Sequence, residues 1–215
     1  MSCCTHCRDA GEFFDLKNAR KELRRYQRKG PLKSTRLLLD AVKEHNLSGK
    51  TLLDIGGGVG MIQQELLGEG ISQALQVDAS QSYLDVAAEE AEKQGYRELT
   101  SYQYGDFVDV ANEIPEMDIV TLDRVICCYP HMERLVEASV EKTKKWYAVV
   151  YPKDHVLMKL GLIPVNTYFR IRGIDFRVYI HCNQAIRTKI KKHGFDPIYQ
   201  DKTMLWNVEV YERNW

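Results

Sequence analysis

A run of glycines directly after a short apolar segment is the feature that most narrows the folds open to this chain. Residues 51–55 have the composition of a buried strand, and glycines follow at positions 56, 57, 58 and 60. A pattern typical of a helix continues from residue 60 to about 67. Glycines let the backbone turn sharply and leave main-chain N–H groups accessible to a ligand. This order of elements predicts an α/β domain with a ligand site at its first loop.

The same alternation of strand and helix patterns continues along the chain. Further strands are predicted at residues 74–77, 101–104, 119–122 and 146–151, and further helices at 82–94, 133–140 and 183–193. Crossover connections of this length join parallel strands and place helices on both faces of the sheet. Two β-rich runs at 196–200 and 204–211 have the pattern of a hairpin. We therefore predict five parallel strands completed by an antiparallel hairpin.

Two helices are predicted before the first strand. Apolar residues at helical spacing indicate a helix over residues 15–28, which Gly30-Pro31 ends. Ser34 is expected to cap a second helix over 35–45. No element is predicted for residues 153–182, where the alternation stops.

Composition and charge narrow the class of protein. The chain is 44% apolar and 28% charged, as in ordinary soluble globular proteins, and its 30 Lys and Arg balance its 30 Asp and Glu. This balance argues against a nucleic-acid partner, whose binding proteins are normally basic. The sequence shows neither an apolar run long enough to span a bilayer nor a signal peptide. We therefore expect a cytoplasmic protein whose six cysteines are reduced thiols.

The spacing of the glycines distinguishes two kinds of nucleotide site. A dinucleotide-binding fingerprint that starts at Gly56 requires a glycine at position 61, which is Met61 here. The glycines stand instead at 56, 58 and 60, behind Asp54, in a D-x-G-x-G-x-G pattern. This pattern resembles motif I of the class I methyltransferases that use S-adenosylmethionine.

The resemblance covers roughly residues 50–151 and implies a fold. We expect an α/β, Rossmann-like class I methyltransferase sheet that is mostly parallel, with seven strands, an antiparallel last strand and an N-terminal helical lid. Residues 1–47 are then a cysteine-bearing leader and a basic helical lid. Residues 48–215 are then the S-adenosylmethionine-dependent methyltransferase domain.

The resemblance also implies which residues bind the cofactor S-adenosylmethionine. An acid at the position of Asp78 holds the ribose hydroxyls in such domains. An acid at the position of Asp106 takes the adenine amino group, and Asp123 follows the strand that lines the methionine end. Alone, Asp78 or Asp106 is equally well explained as a helix cap. The expected cofactor-binding residues are Asp54, Gly56, Gly57, Gly58, Gly60, Asp78, Ala79, Ser80, Asp106, Phe107, Asp123 and Arg124.

The segment after the fourth predicted strand resembles a narrower group. Residues 122–130, with the later Tyr179-Ile180-His181, look like the magnesium-protoporphyrin O-methyltransferases, although one residue more separates Ile126 from Tyr129. This implies methyl transfer to an oxygen of a small or medium organic acceptor. His181 and then His131 are the candidate proton acceptors, since histidine titrates near neutrality, and Tyr129 is a candidate pocket residue. Structural histidines and a packed core tyrosine are the alternatives.

The first predicted helix is unusually basic. Its apolar strip is thin and its cationic residues nearly surround it: Lys17, Arg20, Lys21, Arg24, Arg25, Arg28 and Lys29. Such a surface is either the solvated face of a lid or a site for an anionic substrate, such as a carboxylate or phosphate.

Cysteines are concentrated in two places. Cys3, Cys4 and Cys7 stand at the start of the sequence, and Cys127-Cys128 follow the fourth predicted strand. If the leader folds over the pocket, these five thiols are candidate ligands of a thiophilic metal or an iron–sulfur centre. The alternative is a frayed leader with incidental cysteines.

Two further functions stay open from the sequence. Cysteines at the pocket would suit methylation of a thiol or of a soft metalloid that they hold. A protein that binds the cofactor without catalysis is the other alternative.

Overall fold

A computed structural model describes residues 14–174 and 176–214, so Cys3, Cys4 and Cys7 lie outside the described residues. The described chain contains one sheet of seven strands in the order β3-β2-β1-β4-β5-β7-β6. The strands are β1 (Thr51–Ile55), β2 (Gln73–Asp78), β3 (Thr100–Tyr104), β4 (Met117–Asp123), β5 (Thr143–Pro152), β6 (Phe195–Lys202) and β7 (Trp206–Arg213).

Strands β1 to β5 are parallel, and β7 is antiparallel to both of its neighbours, β5 and β6. The predicted seven-stranded sheet with an antiparallel last strand is therefore confirmed. Because the chain continues from β1 to β2 on one side and returns to β4 on the other, the strand order reverses beside β1. In open α/β sheets, ligands bind at the carboxyl ends of the strands at such a reversal.

Helices cover both faces of the sheet. They are α1 (Leu16–Lys29), α2 (Lys33–Lys43), α3 (Met61–Gly68), α4 (Gln81–Lys93), α5 (Phe107–Val110), α6 (Met132–Glu141), α7 (Val156–Ile171) and α8 (Asn183–Lys192). Short 3-10 turns lie at Arg97–Leu99, Ala111–Glu113 and Ile126–Cys128. Among the helices of the described residues, none combines the length and the apolar character needed to cross a membrane.

Two of these helices differ from the sequence-based expectation. Ser34 does not cap α2, because the helix starts at Lys33 and Leu32 occupies the cap position; that prediction was wrong. Ser34 instead lies in the first turn of α2, where its side chain is buried. Helix α7 lies in the segment without a prediction. Its apolar residues are spread around the axis and Pro164 interrupts them, so no amphipathic period marks it.

The core consists of two apolar layers, one on each face of the sheet. Tyr147, Val149 and Tyr151 of β5 point to the layer under α6 and α8, while Ala148 and Val150 point to the layer under α2 and α3. This continuous burial of successive residues is typical of a parallel strand covered on both sides.

A third, smaller apolar cluster holds α1 against α4. Ala19 and Leu23 pack on Tyr83 and Val86. A polar contact reinforces it, because Tyr83 Oη of α4 donates to Glu22 Oε2 of α1 at 3.1 Å. Tyr26 Oη of α1 also donates to Glu65 Oε1 of α3 at 2.9 Å. Helix α1 is thereby fixed over the edge of the sheet at which the glycine loop lies. The division of the chain at residue 47 stays a prediction.

Candidate functional site

A cavity of about 470 Å³ opens at the carboxyl ends of the central strands. Its volume is within the range of small-molecule sites. The sequence-predicted residues in its wall are Gly56, Gly58, Asp78, Ala79, Ser80, Asp106, Phe107, Asp123, Arg124, Cys127, Cys128 and Tyr129. Asp54, Gly57, Gly60, His131 and His181 lie behind or beside this wall rather than in it.

The loop after β1 is shaped by glycines with different tasks. Gly56 has φ +62° and a Cβ there would lie 2.6 Å from Val125 Cγ2, so a side chain has no room. A Cβ on Gly57 would overlap the carboxylate of Asp54. Gly58 has φ +59° and faces the cavity, with Tyr83 Cδ1 as the nearest atom to a Cβ, 3.8 Å away. The first two glycines permit the turn, whereas Gly58 leaves open the space that a ligand would fill.

Asp54 supports this loop from below. It is fully buried, and its Oδ1 accepts a hydrogen bond from the Thr121 hydroxyl at 2.6 Å. Its Oδ2 has no partner among the described residues. Burial raises the pKa of Asp54 to about 7, against the effect of the Thr121 hydrogen bond, and the nearby Asp123 and Asp78 add to the rise. Because Asp54 is buried beneath the loop and does not line the cavity, it supports the loop from below rather than contacting a ligand.

Asp78 closes the loop from the end of β2. Its carboxylate accepts hydrogen bonds from the backbone N–H of Gly58 at 3.2 Å and of Ser80 at 2.9 Å. Burial raises the pKa of Asp78 to about 6, although these backbone hydrogen bonds lower it. Gln76 adds a second tie from β2, since its Nε2 donates to Gly58 O at 2.7 Å. The glycine loop is thus held against β2 by side chains.

Asp106 and Phe107 follow β3. Asp106 caps α5 by accepting from Val108 N at 3.0 Å, as the alternative interpretation of this acid requires. The same carboxylate also accepts from Tyr129 Oη, and it lies in the cavity wall. Phe107 is buried with its ring in the same wall. One acid therefore serves both as a cap and as part of the pocket.

The end of β4 carries a strained, charged corner. Arg124 has φ +64°, a left-handed conformation that non-glycine residues adopt at functional sites more often than elsewhere. Its guanidinium Nε lies 3.3 Å from Asp123 Oδ1, and Asp123 Oδ2 accepts from the Thr35 hydroxyl of α2 at 2.6 Å. Burial alone would lower the pKa of Arg124, but the charge of Asp123 raises it. The guanidinium is kept charged and oriented at the cavity.

Cys127 and Cys128 sit side by side in the wall. Their Sγ atoms are 3.7 Å apart, and both approach the carbonyl oxygen of Arg124, at 3.1 and 3.6 Å. The contact between the two thiols lowers the pKa of Cys128 and raises that of Cys127. The structure therefore brings together two of the five predicted thiol ligands.

The two histidines lie outside the wall. A ring nitrogen of His181, Nε2, is 2.9 Å from the carbonyl oxygen of Tyr129, so His181 contacts the β4 loop from behind. Burial lowers the pKa of His181, although hydrogen bonds to the backbone carbonyls of Tyr129 and Ile126 act to raise it. His131 is exposed at the start of α6. Their predicted roles as bases stay predictions.

Sequence analysis missed part of the wall. Phe14, Glu22, Tyr83, Val178 and Trp206 also line the cavity, and they come from α1, α4 and segments far along the chain. No motif marks them, because the packing of separate segments brings them to the site. Among the described residues, α1 contributes Glu22 to the wall and none of its seven basic residues.

The comparison with known families decides the kind of domain. Residues 53–145 match a family model described as a methyltransferase domain. Residues 53–145 therefore belong to a methyltransferase domain, in a sheet of the class I fold. The protein is accordingly an enzyme that uses S-adenosylmethionine. Gly56 and Gly58 of the glycine loop, with Asp78 and Asp106, line the cavity of this domain. No curated protein matches the sequence.

Solved structures share the fold of this methyltransferase domain. Magnesium protoporphyrin IX methyltransferase (ChlM) from Synechocystis PCC 6803 with bound SAH has a TM-score of 0.73 at 17% identity, over 95% of this chain and 98% of that one. The same protein with bound SAM has a TM-score of 0.72 at 15% identity, over all of both chains. An O-methyltransferase family 2 protein from Planctomyces limnophilus DSM 3776 in complex with apigenin has a TM-score of 0.60 at 19% identity, over 78% of this chain and 50% of that one. At these identities the likeness concerns the fold.

Proposed function

We propose that the protein methylates an oxygen of a small or medium organic acceptor, and that this oxygen belongs to a carboxylate. The observation that carries the proposal is the part of the cavity wall that follows β4, together with Val178. Arg124, which the sequence placed among the cofactor-binding residues, is assigned here to the acceptor. These lining residues are Arg124, Cys127, Cys128, Tyr129 and Val178. The likeness to a magnesium protoporphyrin IX methyltransferase and to an O-methyltransferase family protein supports oxygen as the acceptor atom.

One charge in the cavity wall favours an anionic acceptor, whereas the four acids Glu22, Asp78, Asp106 and Asp123 also line the cavity. Among the described residues that line the cavity, Arg124 is the one cation. A guanidinium binds a carboxylate through charge-assisted hydrogen bonds, and Asp123 already fixes its orientation.

A carboxylate acceptor also suits the groups available for proton transfer. No histidine is among the described residues that line the cavity, and the Tyr129 hydroxyl donates a hydrogen bond to Asp106. A carboxylate is ionised at neutral pH and needs no general base, whereas a phenol or alcohol needs one. When bound, S-adenosylmethionine supplies an electrophilic methyl group. The protein then has only to align the acceptor oxygen with it and to exclude water. In this scheme His181 positions the β4 loop by contacting Tyr129 O.

Transfer of a labelled methyl group tests the proposal. The protein would be incubated with S-adenosylmethionine labelled in the methyl group and with panels of aromatic carboxylates, phenols and thiols. We expect product from carboxylates, and alkaline hydrolysis should release the label as methanol, as it does from a methyl ester. Label that survives alkali would be an ether, thioether or amine and would contradict the proposal.

A matched pair of variants tests the role assigned to Arg124. Arg124→Met keeps a non-glycine residue at the same backbone conformation and should raise KM for a carboxylate by roughly tenfold to a hundredfold. Arg134→Met, on the exposed side of α6, is the control and should leave KM unchanged. Equal effects of the two substitutions would contradict the assignment.

One observation favours a second candidate function. The Sγ atoms of Cys127 and Cys128 lie 3.7 Å apart in the cavity wall, where a soft metalloid or a thiol substrate could be held. Methylation of such a substrate would require both thiols, whereas carboxylate methylation would not.

A further inference from the structure

Helix α7 exposes an apolar surface that the proposed chemistry does not use. No residue of α7 is buried, and its large apolar side chains include Leu157, Ile171 and Val156, which are 82%, 78% and 71% exposed. Leu160, Ile163 and Tyr168 are also more than half exposed. A monomeric protein rarely leaves so many neighbouring apolar side chains in water without a binding partner.

Contacts on the opposite side of α7 fix the direction in which its exposed apolar surface points. On the opposite side of α7, the Asn166 amide forms two hydrogen bonds with the backbone of Val178, at 2.9 and 3.0 Å. The Phe169 ring meets the edge of the buried Phe176, with centroids 6.1 Å apart, and Phe176 packs on Phe14. At about 100° per residue, Leu157, Leu160 and Ile171 project away from Asn166.

The charged residues within α7 have one sign. Lys159 and Arg170 lie at the border of the apolar surface, and the sequence from 155 to 174 contains no Asp or Glu. Lys159, Arg170 and Arg177 also line one groove of about 400 Å³ beside the helix. In a chain with no net charge, this segment is locally cationic.

We propose that α7 docks on the surface of a lipid bilayer that contains anionic lipids. The helix would lie in the plane of the interface, with Leu157 and Leu160 inserted among the acyl chains. Lys159, Arg170 and Arg177 would contact the phosphates of the headgroups. The exposed side of α7 is apolar and is bordered by cations, and binding at a bilayer surface combines apolar burial with attraction to anionic lipid.

Charge also argues against a second copy of the chain on this surface. Pairing two α7 faces would bring Lys159 and Arg170 of both copies together without an acidic residue of the helix to neutralise them. Val178 lines both the groove and the cofactor cavity, so the docking face adjoins the site. The proposal does not depend on which acceptor is methylated.

Vesicle flotation with the full chain tests whether α7 docks on an anionic bilayer. We expect the protein to float with phosphatidylcholine vesicles that contain phosphatidylglycerol and to stay unbound with pure phosphatidylcholine. Raising the salt concentration should weaken binding, because the attraction is partly electrostatic. Leu157→Asp combined with Leu160→Asp should abolish flotation. Arg170→Gln and Arg177→Gln should each reduce it about fivefold.

Matched substitutions elsewhere control for nonspecific effects. Leu99→Asp replaces an exposed apolar residue before β3, and Lys191→Gln with Lys192→Gln removes two exposed cations of α8. These variants should float like the wild type, and all variants should give the circular dichroism of the folded protein. The α7 substitutions replace exposed side chains, so they should not unfold it.

Three results would overturn the proposal. Flotation that survives the Leu157 and Leu160 substitutions would place lipid binding elsewhere, for example on α1. Equal binding to neutral and anionic vesicles would remove the role of the cations. A dimer that the same substitutions convert to a monomer, with no vesicle binding by the wild type, would show that α7 is an interface between copies.

Discussion

The Tyr129 hydroxyl donates to the carboxylate of Asp106, with its Oη 3.1 Å from Oδ1 and 3.0 Å from Oδ2. This contact links the loop after β4 to the acid after β3, two segments that share no motif. It joins the proposed acceptor wall to the acid expected to bind the adenine amino group. Substitutions at Tyr129 and at Asp106 can therefore distinguish effects on the acceptor from effects on cofactor binding.

Substitutions at these two positions should affect different steps. Asp106→Ala should weaken S-adenosylmethionine binding by about 1–3 kcal/mol, because a charged hydrogen-bond acceptor is lost. Tyr129→Phe leaves the carboxylate in place and should change cofactor affinity by less than about threefold while lowering turnover. Titration calorimetry and steady-state kinetics measure the two effects. A larger loss of cofactor affinity for Tyr129→Phe than for Asp106→Ala would reverse the assignment.

Gly58→Val should abolish cofactor binding, because the branched side chain would enter the space beside the loop backbone. Gly95→Val is a matched control. Gly95 also has a positive φ, +80°, with no atom within 4 Å of a Cβ, so it carries similar backbone strain away from the cavity. We expect similar losses of thermal stability in the two variants and a loss of binding only for Gly58→Val. Wild-type affinity in folded Gly58→Val would show that the pocket is misplaced.

Cofactor affinity should depend on the ionisation of Asp78. Its carboxylate is expected to accept from the ribose hydroxyls, which protonation would prevent. Because burial raises the pKa of Asp78 to about 6, affinity should be steady above this pH and fall by up to about tenfold per unit below it. Asp78→Ala should weaken binding by about 1–3 kcal/mol at pH 8, and Asp78→Asn should remove the fall at low pH. Binding titrations from pH 5 to 8 check both; an unchanged profile in Asp78→Asn would assign the titration to another group.

The buried Asp54 should make the free protein less stable as pH rises. Its pKa is about 7 in the folded chain and near 4 in the unfolded one, so the folded state retains a proton that the unfolded state has lost. Its stabilising contribution is fully present below pH 4 and decreases by about 1.4 kcal/mol per unit up to pH 7. The free energy of unfolding of wild type minus that of Asp54→Asn should show this slope. A difference that is independent of pH would mean that Asp54 is ionised throughout.

The metal content of the purified protein tests the predicted thiol site. If Cys127 and Cys128 hold a thiophilic ion with the cysteines of the leader, anaerobic purification without chelators should give nearly one equivalent of metal. Its content should fall as pH drops, since thiolates must be deprotonated to bind. Cys127→Ser and deletion of residues 1–8 should lower metal content and activity together without changing cofactor affinity. Cys182→Ser, at an exposed thiol, is the control. Unchanged metal content in the first two variants would contradict a thiol site.

Much of the fold was predictable because it depends on local patterns. The alternation of apolar runs, helices and turns gave the parallel strands, and the hairpin gave the antiparallel β7. The glycine loop after β1 was recognised from its spacing, and Asp78 and Asp106 were expected from the resemblance to class I methyltransferases. Parallel strands place their carboxyl ends at one edge, and both acids line the cavity there. Element bounds shifted by one to three residues where packing extended a strand or helix.

The sequence by itself determined the sheet and the glycine loop, because each follows from backbone conformation and hydrophobic periodicity over a few residues. The acids at the strand ends were expected from the resemblance to a family. Only the tertiary structure decided that Glu22 rather than a basic residue of α1 reaches the cavity, that Tyr129 bonds Asp106, and that His181 lies behind the wall. It also decided that α7 is a helix with an exposed apolar face. These relationships join residues far apart in sequence, and their geometry depends on how whole helices pack against the sheet.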